Sequence, residues 1–275
     1  MNKSLLLKLV LLFIAFSIFT FGHDYFGRTL AAEWDINDRV QFNQRFNTIS
    51  LILSPIFIMP FLWGVFKERE NWHIKLGYLI FTFSMALFSY KNLLVVNSEM
   101  VHFPQYALLA LLIFPILKNI PETLFATIFL GILDEGYQYF VLAPEKTAYM
   151  DFNDIWLNTV GAGFGVLLTG VVFPGMINPK SKYFTPQGLI PKGLMLLAFI
   201  FGLMYFSEFL GYTVESNPNA IYYIFKEYPT NYWSEADFEV RYHIVRPLEG
   251  LLAVFMFCWI FHPAEKYFGQ AVSKI

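Results

Sequence analysis

The run "DIWLNTVGAGFGVLLTGVVF", Asp154–Phe173, decides how this chain folds. After Asp154 it carries no charge, and it has the roughly 20 residues that a helix needs to cross a bilayer. Its apolar residues are continuous rather than alternating. That pattern specifies a helix in lipid and argues against a barrel strand. Reading outward, the same texture fills the chain. Of 275 residues, 56% are hydrophobic, 20% aromatic and only 15% charged, with a mean hydropathy of +0.49. A soluble domain carries about a quarter charged residues. The fold class expected is therefore all-α: one polytopic membrane domain over residues 1–275.

Eight apolar segments are candidate spans: 4–22, 48–66, 74–96, 101–118, 120–142, 154–174, 190–210 and 245–262. The start "MNKSLLLKLVLLFIAFSIFTFG" begins like a signal peptide, but its apolar stretch is long and no small-residue cleavage site follows. It reads as an uncleaved first span. The connections are short except 23–47 and 211–244. Lys and Arg concentrate on one side, with Lys3, Lys8, Lys67, Arg69, Lys118, Lys180 and Lys182 in alternate connections, so the expected orientation is N-in/C-in. Net charge is −2, which gives no electrostatic footprint for nucleic acid. The single cysteine, Cys258, excludes an internal disulfide and any CxxC or Cys/His zinc pattern.

Polar residues interrupt the grease in three neighbouring segments. In the fifth, Thr127, Gly131, Asp134, Glu135 and Gln138 fall within about a 100° arc of a helix. A charge inside a membrane helix costs at least about 2.5 kcal/mol, so such groups face protein or water, and function is the default reading. In the sixth, Asp151 suits the N-cap position and Asp154 the first turn. Asp154, Asn158, Gly161 and Gly165 share one face. Asn158 in hydrocarbon requires a hydrogen-bonding partner, and the stripe of the preceding span is the natural one. "GAGFG" follows no strand, so it is not a nucleotide loop. Gly161-x-x-x-Gly165 fits close packing of helices, here of the sixth onto the fifth. In the fourth, Glu99, His102 and Tyr106 follow an i, i+3, i+7 spacing, although Pro104 belongs in a first helical turn. Glu208, Arg246, Glu249, Arg45 and Asn47 sit at other segment ends and read as interfacial anchors or ion-pair members.

Taken in order, "HFPQYALL" from His102, "EGYQ" from Glu135 and "DIWLNTVGAGFG" from Asp154 resemble the VanZ-like family of small membrane proteins. The resemblance covers about 75–175, with flanking spans in 1–70 and 188–275. It implies matched residues at His102, Tyr106, Glu135, Gln138, Asp154, Asn158 and Gly161, with Asp151 beside them. Two positions depart from the family pattern. Glu99 stands where a lysine is frequent, and Lys146 takes the place of a loop arginine, binding phosphate as a point charge without the bidentate fork. The resemblance implies a multi-pass protein of the bacterial inner membrane and cell envelope. It transfers no defined reaction.

Several functions compete on these residues. The first is recognition of a membrane lipid headgroup, a lipid-linked precursor or another amphiphile at an outward-facing site of His102, Tyr106, Glu135, Gln138, Lys146, Asp151, Asp154 and Asn158. The second is an intramembrane enzyme, with His102 as general base or metal ligand and Glu135 and Asp154 as acid/base partners or carboxylate ligands. The third is a polar network that only locks helices together. A coupled transporter is a fourth, although the ionisable groups gather at one end rather than at mid-membrane. The sequence specifies no cofactor, metal or oligomeric state.

Overall fold

The computed structural model describes residues 3–34, 39–68, 71–94, 96–142, 148–173, 176–177, 199–200, 202–227, 233–236 and 240–268. The helices are α1 (Lys3–Glu33), α2 (Arg39–Glu68), α3 (Trp72–Asn92), α4 (His102–Leu117), α5 (Ile120–Tyr137), α6 (Phe152–Val172), α7 (Pro247–Phe261) and α8 (Ala264–Phe268). A 3-10 turn, Asn97–Val101, leads into α4, and a π turn, Gln138–Leu142, prolongs α5. Among the described residues four stretches are long and apolar enough to cross a membrane: Ser4–Gly22, Val40–Lys67, Asn97–Leu117 and Pro247–Phe268. Their free faces expose Phe13, Leu51, Leu248 and Trp259, each more than 70% accessible. Water disfavours such surface and lipid does not. The molecule is mostly helical and consistent with a membrane protein.

α6 is the central helix. Leu157, Val160, Ala162 and Val166 on it are wholly buried, and it packs against α2, α3, α4, α5 and α7. Its largest interface is with α4 rather than α5, which corrects the expectation for Gly161 and Gly165. A Cβ on Gly161 would lie 2.8 Å from the His102 carbonyl and 2.9 Å from that of Phe103; on Gly165 it would lie 2.5 Å from the Ala107 carbonyl. Bare glycine therefore lets α6 lie directly on the α4 backbone. Trp156 fixes the opposite face by donating its indole N–H to Ser89 Oγ of α3 at 3.0 Å.

Other expectations change. The connection 23–47 is largely helical, because α1 continues to Glu33 and α2 begins at Arg39. Hydropathy marks the end of an apolar run, whereas "RTLAAE" keeps good helix formers beyond it. Glu99 lies in the 3-10 turn, so it does not share one regular helical face with His102 and Tyr106. The segment 211–244 adds strands that an all-α reading lacks. Leu210–Thr213 (β1) pairs in parallel with Tyr222–Phe225 (β2), and Trp233–Ala236 (β3) pairs antiparallel with Val240–His243 (β4). Most of the candidate span 190–210 falls outside the described residues; residues 202–206 are helical.

The strand layer docks onto the start of α6. Met150 N donates to Ile224 O at 3.1 Å and Lys226 N to Ala148 O at 2.8 Å, beside β2. Asn153 is the clamp. Its amide donates to Leu93 O at 3.1 Å and His243 O at 2.8 Å, and its carbonyl oxygen accepts from Val245 N at 2.8 Å.

The glycine contacts give the first prediction. Gly165→Val places a side chain against backbone that cannot yield, and overpacking costs about 1–3 kcal/mol. The variant should melt well below the parent in a detergent thermal-shift assay. Gly77→Ala, with nothing within 4 Å, should melt at or above the parent temperature. Equal melting of parent and Gly165→Val would contradict the packing described.

Candidate functional site

Local signals at three helix starts fix the rotation of α4, α5 and α6. Asp151 caps α6, accepting from Asn153 N at 2.8 Å and Asp154 N at 3.3 Å. Asn119 caps α5, accepting from Glu122 N at 3.0 Å. α4 is held through the turn before it: Asn97 N donates to Asn43 Oδ1 at 3.0 Å and its amide donates to Asn47 Oδ1 at 2.8 Å, both on α2. With these phases set, polar faces from three helices meet in the interior.

His102, Tyr106, Asp134 and Glu135 are each 1–3% accessible, and Asn158 is fully buried. The Asn158 amide N–H donates to Glu135 Oε1 at 3.0 Å, and its oxygen lies 2.8 Å from His102 Nδ1. An amide oxygen only accepts, so Nδ1 carries the hydrogen of this bond. His102 Nε2 then faces Asp154 Oδ1 at 3.6 Å. Asp154 has 18% of its side chain accessible and forms the open end of the chain Glu135–Asn158–His102–Asp154. Alongside, Tyr106 donates its hydroxyl to Asp134 Oδ2 at 2.8 Å. Gly131 allows the crossing, since a Cβ there would lie 3.0 Å from Asn158 Cβ and 3.1 Å from the Tyr106 ring.

His102, Tyr106, Glu135, Asp154 and Asn158 are thus brought together. Gln138 opens the π turn one helical turn beyond Asp134 and is partly buried. Asp151 is engaged by the α6 backbone as a cap and is also partly buried. Lys146 lies outside the described residues. Thr127, part of the sequence stripe, satisfies its hydroxyl within α5 on Thr123 O at 2.7 Å. Arg246 caps α7, its N–H reaching Glu249 Oε2 at 3.3 Å. Arg45 bonds Gln41 within α2, and Asn47 also reaches Tyr90. Glu208 is exposed, at a positive φ of 60°. None of these five anchors joins the network through the contacts described.

Asn153 is the residue that sequence reading missed; Asp134 is on the sequence stripe, and only its partner is new. The pairing with Tyr106 gives Asp134 a partner 28 positions away that no local pattern shows. Asn153, two residues after the cap, is visible in sequence only as a second amide-bearing residue in "DFND". Comparison of the chain with protein-family models, curated proteins and solved structures finds no match. Among the described residues no three His, Cys, Asp or Glu side chains are arranged to share a metal ion.

At the partly accessible edge of the network, the Asp151 carboxyl is pushed up to about 7, first by burial and then by the neighbouring Asp154 charge. A carboxyl whose folded pKa is raised stabilises the fold at low pH, and that contribution is lost as pH rises through the folded value. Asparagine caps as well as aspartate without titrating. Between about pH 4 and 7 the parent should lose stability with rising pH more steeply than Asp151→Asn, as read by melting temperature in detergent. Parallel slopes would remove Asp151 from this account. Asn158→Ala leaves buried groups of His102 and Glu135 without this partner, each at about 1–3 kcal/mol. It should lower the melting temperature more than Asp154→Asn does. The reverse order would contradict the bonding scheme.

Proposed function

We propose that this chain is a VanZ-like protein of a bacterial inner membrane, with eight spans in an N-in/C-in arrangement, that binds the polar end of a membrane lipid, lipid-linked precursor or other amphiphile. The binding groups are those where α4, α5 and α6 converge. The observation that carries this reading is the graded burial of the network. His102, Asn158 and Glu135 form a fully buried floor, while Asp154, Asp151 and Gln138 are partly accessible along its edge. A network that served only to join helices would gain nothing from adjacent carboxylates at Asp134 and Glu135, since ionised groups in a low-dielectric interior carry a desolvation cost of several kcal/mol each. Polar groups held in place before a ligand arrives lower the entropic cost of binding it.

A second reading, an intramembrane acid–base enzyme, is favoured by one feature. His102 is oriented through Nδ1 by Asn158 and presents Nε2 to Asp154. That is the arrangement of a positioned base with a proton partner.

Asp154→Ala provides the test of binding, because it removes an edge group and leaves the floor bonded. A photoactivatable amphiphile bearing a diazirine in its acyl chain should label the α4–α6 region of the parent saturably, and Asp154→Ala should reduce that labelling about tenfold, a difference of about 1.4 kcal/mol. Equal labelling of both proteins would count against binding at this site.

A further inference from the structure

His102 Nε2 faces Asp154 Oδ1 at 3.6 Å, beyond hydrogen-bond length, and two further polar atoms of the network stand together on the α5 side, at the end of that helix and the start of the π turn. Asp134 gives Oδ2 to Tyr106, but its Oδ1 has no hydrogen-bond partner among the described residues, although the residue is only 2% accessible. One turn later the amide nitrogen of Gln138 is also buried without a partner. Residues four apart lie one above the other on a helix, so this face of α5 presents one free acceptor and one free donor. Gln138 also opens the π turn Gln138–Leu142, and π turns concentrate at functional sites because the extra residue redirects side chains. Buried native polar groups nearly always have partners, so each exception requires an explanation.

The charge around this face selects among ligands. Asp134, Glu135, Asp151 and Asp154 converge here, set against His102 on the facing helix α4 and the Lys226 ammonium over the Tyr139 ring of the π turn, so carboxyl groups outnumber basic ones. A phosphate would enter against like charge in a poorly screened setting. A group that donates to a carboxylate and accepts from an amide, while carrying no charge itself, meets both unsatisfied atoms. A hydroxyl does this with one atom, and a polyol does it repeatedly.

We infer that the site takes an uncharged, hydroxyl-bearing headgroup of the sugar or polyol class, with Asp134 Oδ1 accepting a ligand hydroxyl and Gln138 donating to the same group, and that it discriminates against phosphate-terminated amphiphiles. This inference rests on the binding reading above and assigns its ligand class. It makes Asp134, rather than the loop lysine, the selecting residue.

The experiment uses the full chain in phosphatidylcholine nanodiscs with two diazirine-bearing probes of identical acyl chains, one a glucosyl diacylglycerol and the other phosphatidic acid. Saturable labelling of α4–α6 by the glucosyl probe, at least about tenfold above the phosphatidic acid probe, is expected. Asp134→Asn, which keeps an acceptor for Tyr106, should remove most of that preference. Gln138→Leu, at a partly accessible position, should reduce it as well and guards against misfolding of the first variant. Saturable labelling by phosphatidic acid equal to or above the glucosyl probe would overturn the inference while leaving the binding reading in place. A preference unchanged in folded Asp134→Asn and Gln138→Leu would also overturn it. Saturable labelling by neither probe would overturn both.

Discussion

The arrangement depends on one close contact, the passage of α6 over the backbone of α4. Gly161 and Gly165 have no Cβ, and any Cβ there would meet α4 carbonyl oxygens at 2.5–2.8 Å. This proximity lets Asn158, one turn before Gly161, reach His102 across the interface. The same amide reaches Glu135 on α5 because Gly131 clears the third side of the triangle. Three small residues therefore set the geometry of a network made almost entirely of large polar ones. Close approach of the two backbones brings many atoms into dispersion contact, individually small and collectively large.

That geometry has an electrostatic consequence. Asp134 and Glu135 are consecutive residues, yet both are buried, because one points to Tyr106 and the other to Asn158. Each carboxylate finds its donor on a different neighbouring helix. In a low-dielectric interior such bonds are strong when made and costly when missing. Asp154 escapes part of this constraint by standing at the accessible edge, 3.6 Å from His102 Nε2. The layer of strands and loop around Asn153 then holds the start of α6 in place, so the edge of the network lies beside an ordered cap.

Much of this was legible in the chain because helical phase is a local property. The 100° stripe on α5 and the Asp154/Asn158 face on α6 follow from spacing alone, and the helices supply those faces as expected. Pairing across helices is a different matter. The glycine face of α6 meets α4 and not α5, since nothing within "GAGFG" records which neighbour lies closest. The Tyr106–Asp134 bond and the Asn153 clamp join residues 28 to 92 positions apart, beyond the reach of any periodic signal. The strands of 210–243 escaped notice because each is four residues long, too short for alternation to stand out among aromatic residues. Where the interior ends, hydropathy reported the apolar run rather than the helix, hence the extra turns of α1 and α2.

If the network is a recognition surface, Asp134 and Gln138 are the residues that hold the ligand's polar group. A high-resolution map of the protein extracted with its own membrane lipids, without detergent exchange, tests it most directly. The account predicts density for an amphiphile head within about 2.6–3.2 Å of Asp134 Oδ1 and the Gln138 amide, its apolar part directed to the bilayer. A map in which those two groups bond protein side chains or water, with no amphiphile density between α4, α5 and α6, would contradict it.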